Sequence, residues 1–182
     1  MLSYVIAAFV AVALVGSSQG GAQVADDARV VATRWVINNE IHVLAKAGLP
    51  PSQESLAFCV GTTVKAVEKG SAPTSAEGFW ASLTEIKNPS SDFLNKVRDD
   101  RFELFGAEAC RQNALGAPTD GASGRVTRGG ISVGPVFQLE SQYVQVPVQI
   151  VRHLSAATGW VLQLERVADG WKVVNVRFVW QA

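Results

Sequence analysis

Residues 164–180 read LERVADGWKVVNVRFVW, and the fold turns on how this stretch doubles back. Upstream, Trp160, Leu162 and Leu164 alternate with Val161, Gln163 and Glu165. Beyond Asp169-Gly170, Val174, Val176, Phe178 and Trp180 alternate with Val173, Asn175 and Arg177. Alternation on both sides of a turn signal predicts an antiparallel hairpin. Two registers compete. A two-residue Asp169-Gly170 loop sets Leu162 opposite Arg177, mixing apolar and charged residues on one face. A three-residue Ala168-Asp169-Gly170 loop sets Leu164 opposite Val174, Leu162 opposite Val176 and Trp160 opposite Phe178. A one-residue slip moves every side chain to the other face, so the consistent pattern decides. The expected loop has three residues, with Gly170 in the left-handed bulge position.

Just upstream, Val144, Val146, Val148 and Ile150 alternate with Tyr143, Gln145, Pro147 and Gln149, which predicts a half-buried strand. Pro147 lacks a ladder donor and places this strand at an edge or at a bulge. The expected core face of the sheet is Val144, Val146, Val148, Ile150, Trp160, Leu162, Leu164, Val174, Val176, Phe178 and Trp180. It contains no carboxylate and no imidazole. A site on this sheet therefore belongs to its rim or its polar face.

The N-terminal half reads as helical. A helix starting at Asp26 or Asp27 and running to about Ala47 carries Val30, Ile37, Ile41 and Leu44 on one stripe, with Trp35 widening it. Gly48 and Pro50-Pro51 end it. Leu56–Val60 is a short apolar run followed by Thr62-Thr63-Val64, and β-branching favours a strand. A short helix is expected over 75–87, carrying Phe79, Trp80, Leu83 and Ile86. A second is expected to start at Pro89–Asp92, burying Phe93, Leu94 and Val97. A short strand follows over 101–105. The segment 115–130 is rich in glycine and reads as a surface loop or flap. Ile131–Leu139 is a strand interrupted at Gly134-Pro135.

The first residues bound the compartment. Val5–Val15 is an apolar run of signal-sequence length, shorter than the roughly 20 residues a membrane-spanning helix needs. Gly20 and Ala22 supply small residues for cleavage after Ala22, with cleavage after Gly20 as a competitor. No Lys or Arg precedes the run, so an uncleaved anchor and a buried helix remain alternatives. Residues 1–22 are read as a signal peptide and 23–182 as one domain, large enough to bury a core. The expected location is secreted, periplasmic or on the cell-envelope exterior. In that setting Cys59 and Cys110, the two cysteines of the chain, pair as one disulfide, against the alternative of two buried thiols.

Charge excludes some partners. Sixteen basic residues balance sixteen acidic ones, so nothing supports nucleic-acid or anionic-membrane binding. His42 and His153 stand in neither an HExxH nor an HxH spacing, and no metal or cofactor is expected. Gly130-Ile131-Ser132-Val133-Gly134 matches the letters of a GxSxG elbow, but Pro135 and strand-like residues follow where a helix is required. Glu40 reads as a solvated helix residue and Asp92 as a first-turn residue. For pocket or anion contacts the candidates are His42, beside Ile41 on the first helix, and Arg177, on the polar face of the hairpin. Arg125, Arg128 and Arg152 are further cations, with solvated positions as the ordinary expectation.

The fold class expected is α+β, with N-terminal helices packed on a twisted C-terminal antiparallel sheet. The pattern Trp160-x-Leu162-x-Leu164-Glu165-Arg166-x-x-x-Gly170-Trp171-Lys172-Val173-Val174 resembles the closing hairpin of the NTF2-like (cone-shaped α+β) superfamily. It is also similar to cystatin-like domains. The resemblance covers the last third, while the Cys59 and Cys110 segments look more like exported bacterial proteins. It implies a pocket between helix and sheet and no particular chemistry. Three functions are carried forward. The first is an exported binding or interaction module for a small apolar ligand or an envelope or extracellular protein. The second is a pocket enzyme, an isomerase or hydrolase with a buried acid or base. The third is a secreted inhibitor or effector using the 115–130 segment.

Overall fold

A computed structural model describes residues 18–48, 56–65, 76, 84–153 and 155–182. Helix α1 spans Ser18–Lys46. It begins well before Asp26, because nothing between Gln23 and Asp26 breaks it. Asp26 and Asp27 do not cap it; Asp26 meets Arg29, and Asp27 accepts from Lys96 at 3.1 Å. Its buried residues are Ala28, Val30, Ala32, Thr33, Val36, Ile37, Glu40 and Leu44. Steps of three and four put all of them on one face. Ala28 and Ala32 are small and let the helix lie close to the sheet. Trp35 sits at the edge of this face and meets Trp160 edge-on, with ring centroids 5.6 Å apart.

Helix α2, Ser91–Val97, starts where expected. Ser90 Oγ accepts from the Phe93 N–H at 3.1 Å, which satisfies an orphan donor of the first turn. Phe93 and Val97 are buried and α2 packs on α1.

The main sheet runs in the order β10-β9-β8-β6-β1-β2. Its strands are β1 (Ala57–Lys65), β2 (Thr84–Lys87), β3 (Glu103–Gly106), β6 (Gly129–Val133), β7 (Phe137–Glu140), β8 (Tyr143–His153), β9 (Ala156–Val167) and β10 (Gly170–Gln181). Strand β3 lies beside β1, and β7 beside β8. Two short strands, β4 (Cys110–Gln112) and β5 (Pro118–Asp120), form a separate ribbon. The fold is α+β, as expected, with helices on a large, mostly antiparallel sheet. The sheet extends further than the C-terminal third: β1 pairs in parallel with both β3 and β6.

Four local expectations are corrected. Thr84–Lys87 is strand β2, paired with β1 through Thr63 and Ile86, rather than the end of a helix; the free edge of β1 recruits these residues. Ala76 is helical, and Phe79, Trp80 and Leu83 lie outside the described residues. Strand β8 is internal, not an edge. Pro147 fits because its carbonyl accepts from Gly134 at 2.8 Å. A strand residue's N–H and C=O point to the same neighbour, so the missing N–H of Pro147 falls in the gap between β6 and β7. The segment 115–130 is an ordered structure carrying β5.

The hairpin supplies the fourth correction. Gly170 pairs with Val167, so the loop is the two residues Ala168-Asp169. Gly170 does have positive φ, at 128°. From the tip, Trp171 faces Arg166 and Val173 faces Leu164. A bulge at Val174 then restores the expected pairs: Asn175 with Gln163, Val176 with Leu162, Arg177 with Val161 and Phe178 with Trp160. The bulge lets Trp171 and Val173 pack on the core as well, which a uniform register would forbid.

Val144, Val146, Val148, Ile150, Leu162 and Leu164 are fully buried, and Trp160 nearly so. The outer strand departs from the expected core: Val174, Val176 and Phe178 are exposed. They lie on an edge strand that α1 only partly covers. A second irregularity between Phe178 and Trp180 sets Trp180 opposite Gly159. The Trp180 ring lies on Gly159, where a Cβ would run into the indole nitrogen. Gly159 is what allows that approach.

Candidate functional site

The alternation of three central strands prepares a site on the face away from α1. In β1, Phe58 and Val60 point to the core, so Cys59 and Gly61 point the other way. In β6, Ile131 and Val133 are core residues and Gly130 and Ser132 oppose them. In β8, Val148 and Ile150 face the core, while Gln149 and Val151 do not. The register aligns these sets: Cys59 with Gly130, Gly61 with Ser132, and Ser132 with Gln149. The result is a patch of small and amide side chains on an otherwise bulky sheet.

The β4–β5 ribbon lies over this patch. The Cys59–Cys110 disulfide joins the two layers, with Cα atoms 6.2 Å apart and the two residues 51 positions apart in the chain. Between sheet and ribbon is a cavity of about 250 Å³. Its sheet wall is Cys59, Gly61, Gly130, Ser132, Gln149 and Val151; its other wall is Ala107, Cys110, Arg111, Gln112, Pro118 and, from β2, Ile86.

The ribbon is held by its own polar bonds. Asp120 accepts from the Ala122 and Ser123 N–H groups at 3.2 and 3.0 Å, and from the Ser123 hydroxyl. The Ser123 hydroxyl bond, followed by the Ala122 amide, holds the Asp120 carboxyl below the usual carboxylate range. Thr127 Oγ1 donates to the Pro118 carbonyl at 3.0 Å. Asn113 Oδ1 accepts from the Leu115 and Ala117 N–H groups at 2.9 and 3.0 Å. Asx turns of this kind replace a regular ladder, and they explain why a glycine-rich segment is ordered. Its composition shows the turns but not the side-chain bonds that fix them.

The cavity's chemistry is narrow. Its polar groups are the Ser132 hydroxyl, the amides of Gln149 and Gln112, and Arg111. The Arg111 guanidinium already donates to the Glu108 and Cys110 carbonyls, both at 2.8 Å. Among the described residues no carboxylate and no imidazole lines it, so these residues supply no general acid or base of ordinary type. Ser132 stands in mid-strand between Gly61 and Gln149, not on the strand-to-helix turn that exposes an elbow nucleophile. Among the described residues no cluster of three metal-binding side chains occurs.

The structure places the residues singled out in the sequence as follows. Cys59 and Cys110 come together as a disulfide on the cavity wall. His42 is exposed on α1 and Arg177 is exposed on β10; neither lines the cavity. Arg125 pairs with Glu103 and lies over the Phe105 ring at 5.7 Å. Asp92 is a first-turn residue of α2 and pairs with Lys96 at 3.3 Å. Glu165 accepts from the Tyr143 hydroxyl at 3.1 Å on the polar face. That bond, more than the nearby charge, raises the Tyr143 pKa.

Glu40 is the residue the sequence reading missed. It is fully buried, and Arg152 holds both its oxygens, with Nε 3.0 Å from Oε2. The signal was present: Glu40 is four residues after Val36 and four before Leu44, on the buried stripe. Its partner, 112 positions away, was not legible. The disulfide-walled cavity lies on the face of the sheet away from α1, whereas core side chains of α1 and the sheet pack together on the other face.

No protein-family model matches the chain, and no curated protein or solved structure matches it.

Proposed function

We propose that the protein is an exported binding module, and that the disulfide-walled cavity takes a small, mainly apolar ligand. The observation that carries this reading is the cavity's lining: a half-open, mainly apolar cavity of about 250 Å³ with a few amide and hydroxyl groups and, among the described residues, no carboxylate or imidazole. Pockets that bind small molecules have this make-up, with apolar walls and a few polar groups that orient the ligand. Gln149 and Ser132 are the orienting groups, and the apolar walls supply the affinity. Export is supported by the signal-like N-terminus and by the disulfide, which persists in oxidising compartments. No described helix is long and apolar enough to cross a membrane.

The test uses the full chain and a neutral naphthylamine probe. Its fluorescence rises and saturates on binding, and Ser132→Leu, which fills the cavity, abolishes the rise. An unchanged titration in Ser132→Leu excludes this site. Export is read from the mass of the native protein: a chain beginning at Gln23 supports it, and a full-length chain with freely labelled thiols rejects it.

A second reading has its own observation. Among the described residues, β10 pairs only with β9, and it exposes Val174, Val176 and Phe178. An exposed apolar edge strand is a template for another strand. The occupant that fits is an extended segment of an envelope or extracellular protein. Val176→Lys blocks such pairing and leaves the cavity intact; a partner retained by this variant in a pull-down argues against the edge.

A further inference from the structure

A second cavity opens where the chain enters β6 and where β8 ends. Its volume is about 460 Å³, and it is lined by Ala117, Val126, Thr127, Arg128, Arg152 and His153. Two guanidiniums meet there over a single carboxylate. Arg152 grips Glu40 through Nε and a terminal nitrogen, and its other terminal nitrogen donates to Thr158 Oγ1 at 3.2 Å. Arg128 stands differently. Its Nε is 3.8 Å from Glu40 Oε2, beyond hydrogen-bond reach. That Nε is buried and finds no acceptor. About a third of the Arg128 side chain remains accessible, at 34 %. Glu40, the one carboxylate at the site among the described residues, is already committed to Arg152. The cluster therefore keeps a net positive charge and an unused planar donor fork. His153 stands at the rim, with its Nδ1 3.2 Å from Ser155 Oγ.

We propose that this cavity is an oxyanion site, in which Arg128 holds a phosphate or carboxylate group and the Arg152–Glu40 pair fixes the rear wall. A guanidinium fork matches both groups in a two-bond geometry. The partly enclosed setting strengthens each bond relative to open solvent. Glu40 keeps Arg152 in place, so the anion meets Arg128 first. The site shares no lining residue with the disulfide-walled cavity, and its failure leaves that reading standing.

The experiment is a calorimetric titration of the native protein with inorganic phosphate and, separately, with acetate, at ionic strength held constant with chloride. Saturable binding of at least one is expected. Arg128→Gln weakens it by roughly tenfold or more, the loss expected for charge-assisted bonds. The Arg128 backbone N–H still donates to the Ala57 carbonyl at 2.7 Å, so the strand entry survives the change. Arg166→Gln, at the far end of β9, leaves binding as it was. Phosphate bound without acetate assigns a phosphate group, and the reverse assigns a carboxylate; both support the site when Arg128→Gln weakens them. Equal binding in Arg128→Gln, or no saturable binding of either anion, overturns it. Should Arg128→Gln fail to fold, phenylglyoxal labelling of the wild-type chain decides. The bound anion slows modification of Arg128, and an unchanged rate overturns the proposal.

Discussion

Glu40 of α1 and Arg152 of β8 form a two-pronged ion pair that fastens the helix to the centre of the sheet. Glu40 has no exposed surface, while Arg152 keeps about a quarter of its side chain accessible, at 26 %. Breaking a buried pair by removing one partner leaves a charge without compensation. Glu40→Gln is expected to destabilise the fold by about 3 kcal/mol, read from the urea midpoint. The double change Glu40→Leu with Arg152→Leu costs less than Glu40→Gln alone, because no orphan charge remains. A double variant as unstable as the sum of the singles would show that the residues act independently.

The Cys59–Cys110 bridge closes a long loop that contains β2, α2 and β3. The chain-entropy account assigns it about 4 kcal/mol. Cys59→Ser with Cys110→Ser should lower the denaturant midpoint accordingly. It should also raise protease cleavage between residues 107 and 127, where the ribbon loses its tie to the sheet. Cleavage confined to other segments would show that the Asp120 and Asn113 turns hold the ribbon unaided.

At Gly159 the constraint is steric. Gly159→Ala puts a Cβ into the Trp180 indole, and overpacking of this kind costs about 1–3 kcal/mol. In a Trp180→Ala background the same change should be nearly neutral. The pair of urea curves measures the coupling, and equal costs in both backgrounds would contradict the contact.

Acid stability has a local source at Asp99. Hydrogen bonds from the Arg101 side chain, then its backbone N–H, lower the Asp99 pKa from 3.8 to about 2. A carboxylate depressed in the folded state stabilises above its unfolded pKa. That stabilisation is lost as pH falls through the folded value. Asp99→Asn should therefore lower stability across the neutral range and flatten its fall between pH 3.8 and about 2. Chemical denaturation at a series of pH values checks this, and parallel curves would remove Asp99 from the account.

Legibility followed sequence distance. The pairing of Leu162 with Val176 and of Trp160 with Phe178 was readable, because alternation across one turn constrains it. The loop length was not, because Val173 and Trp171 gain contacts with a core assembled from distant helix and strand residues. The Pro147 position was readable as an interruption, but its place beside the β6–β7 gap depended on strands meeting it from elsewhere. Of the candidate site residues, the cysteines were found by count. Ser132 and Gln149 were named in the sequence without being joined, since what unites them is the antiparallel register of β6 and β8.

The sequence by itself determined the faces of β8 and β9, the helical stripe of α1, the start of α2 at 89–92 and the α+β class. Each follows from the geometry of consecutive residues, period two in a strand and near three and a half in a helix. Only the tertiary structure decided the bulge at Val174, the insertion of β1 between β3 and β6, the burial of Glu40 against Arg152, and both cavities. These depend on residues brought together from distant parts of the chain. Side-chain packing and the need to satisfy buried charge choose among local patterns that the backbone alone permits equally.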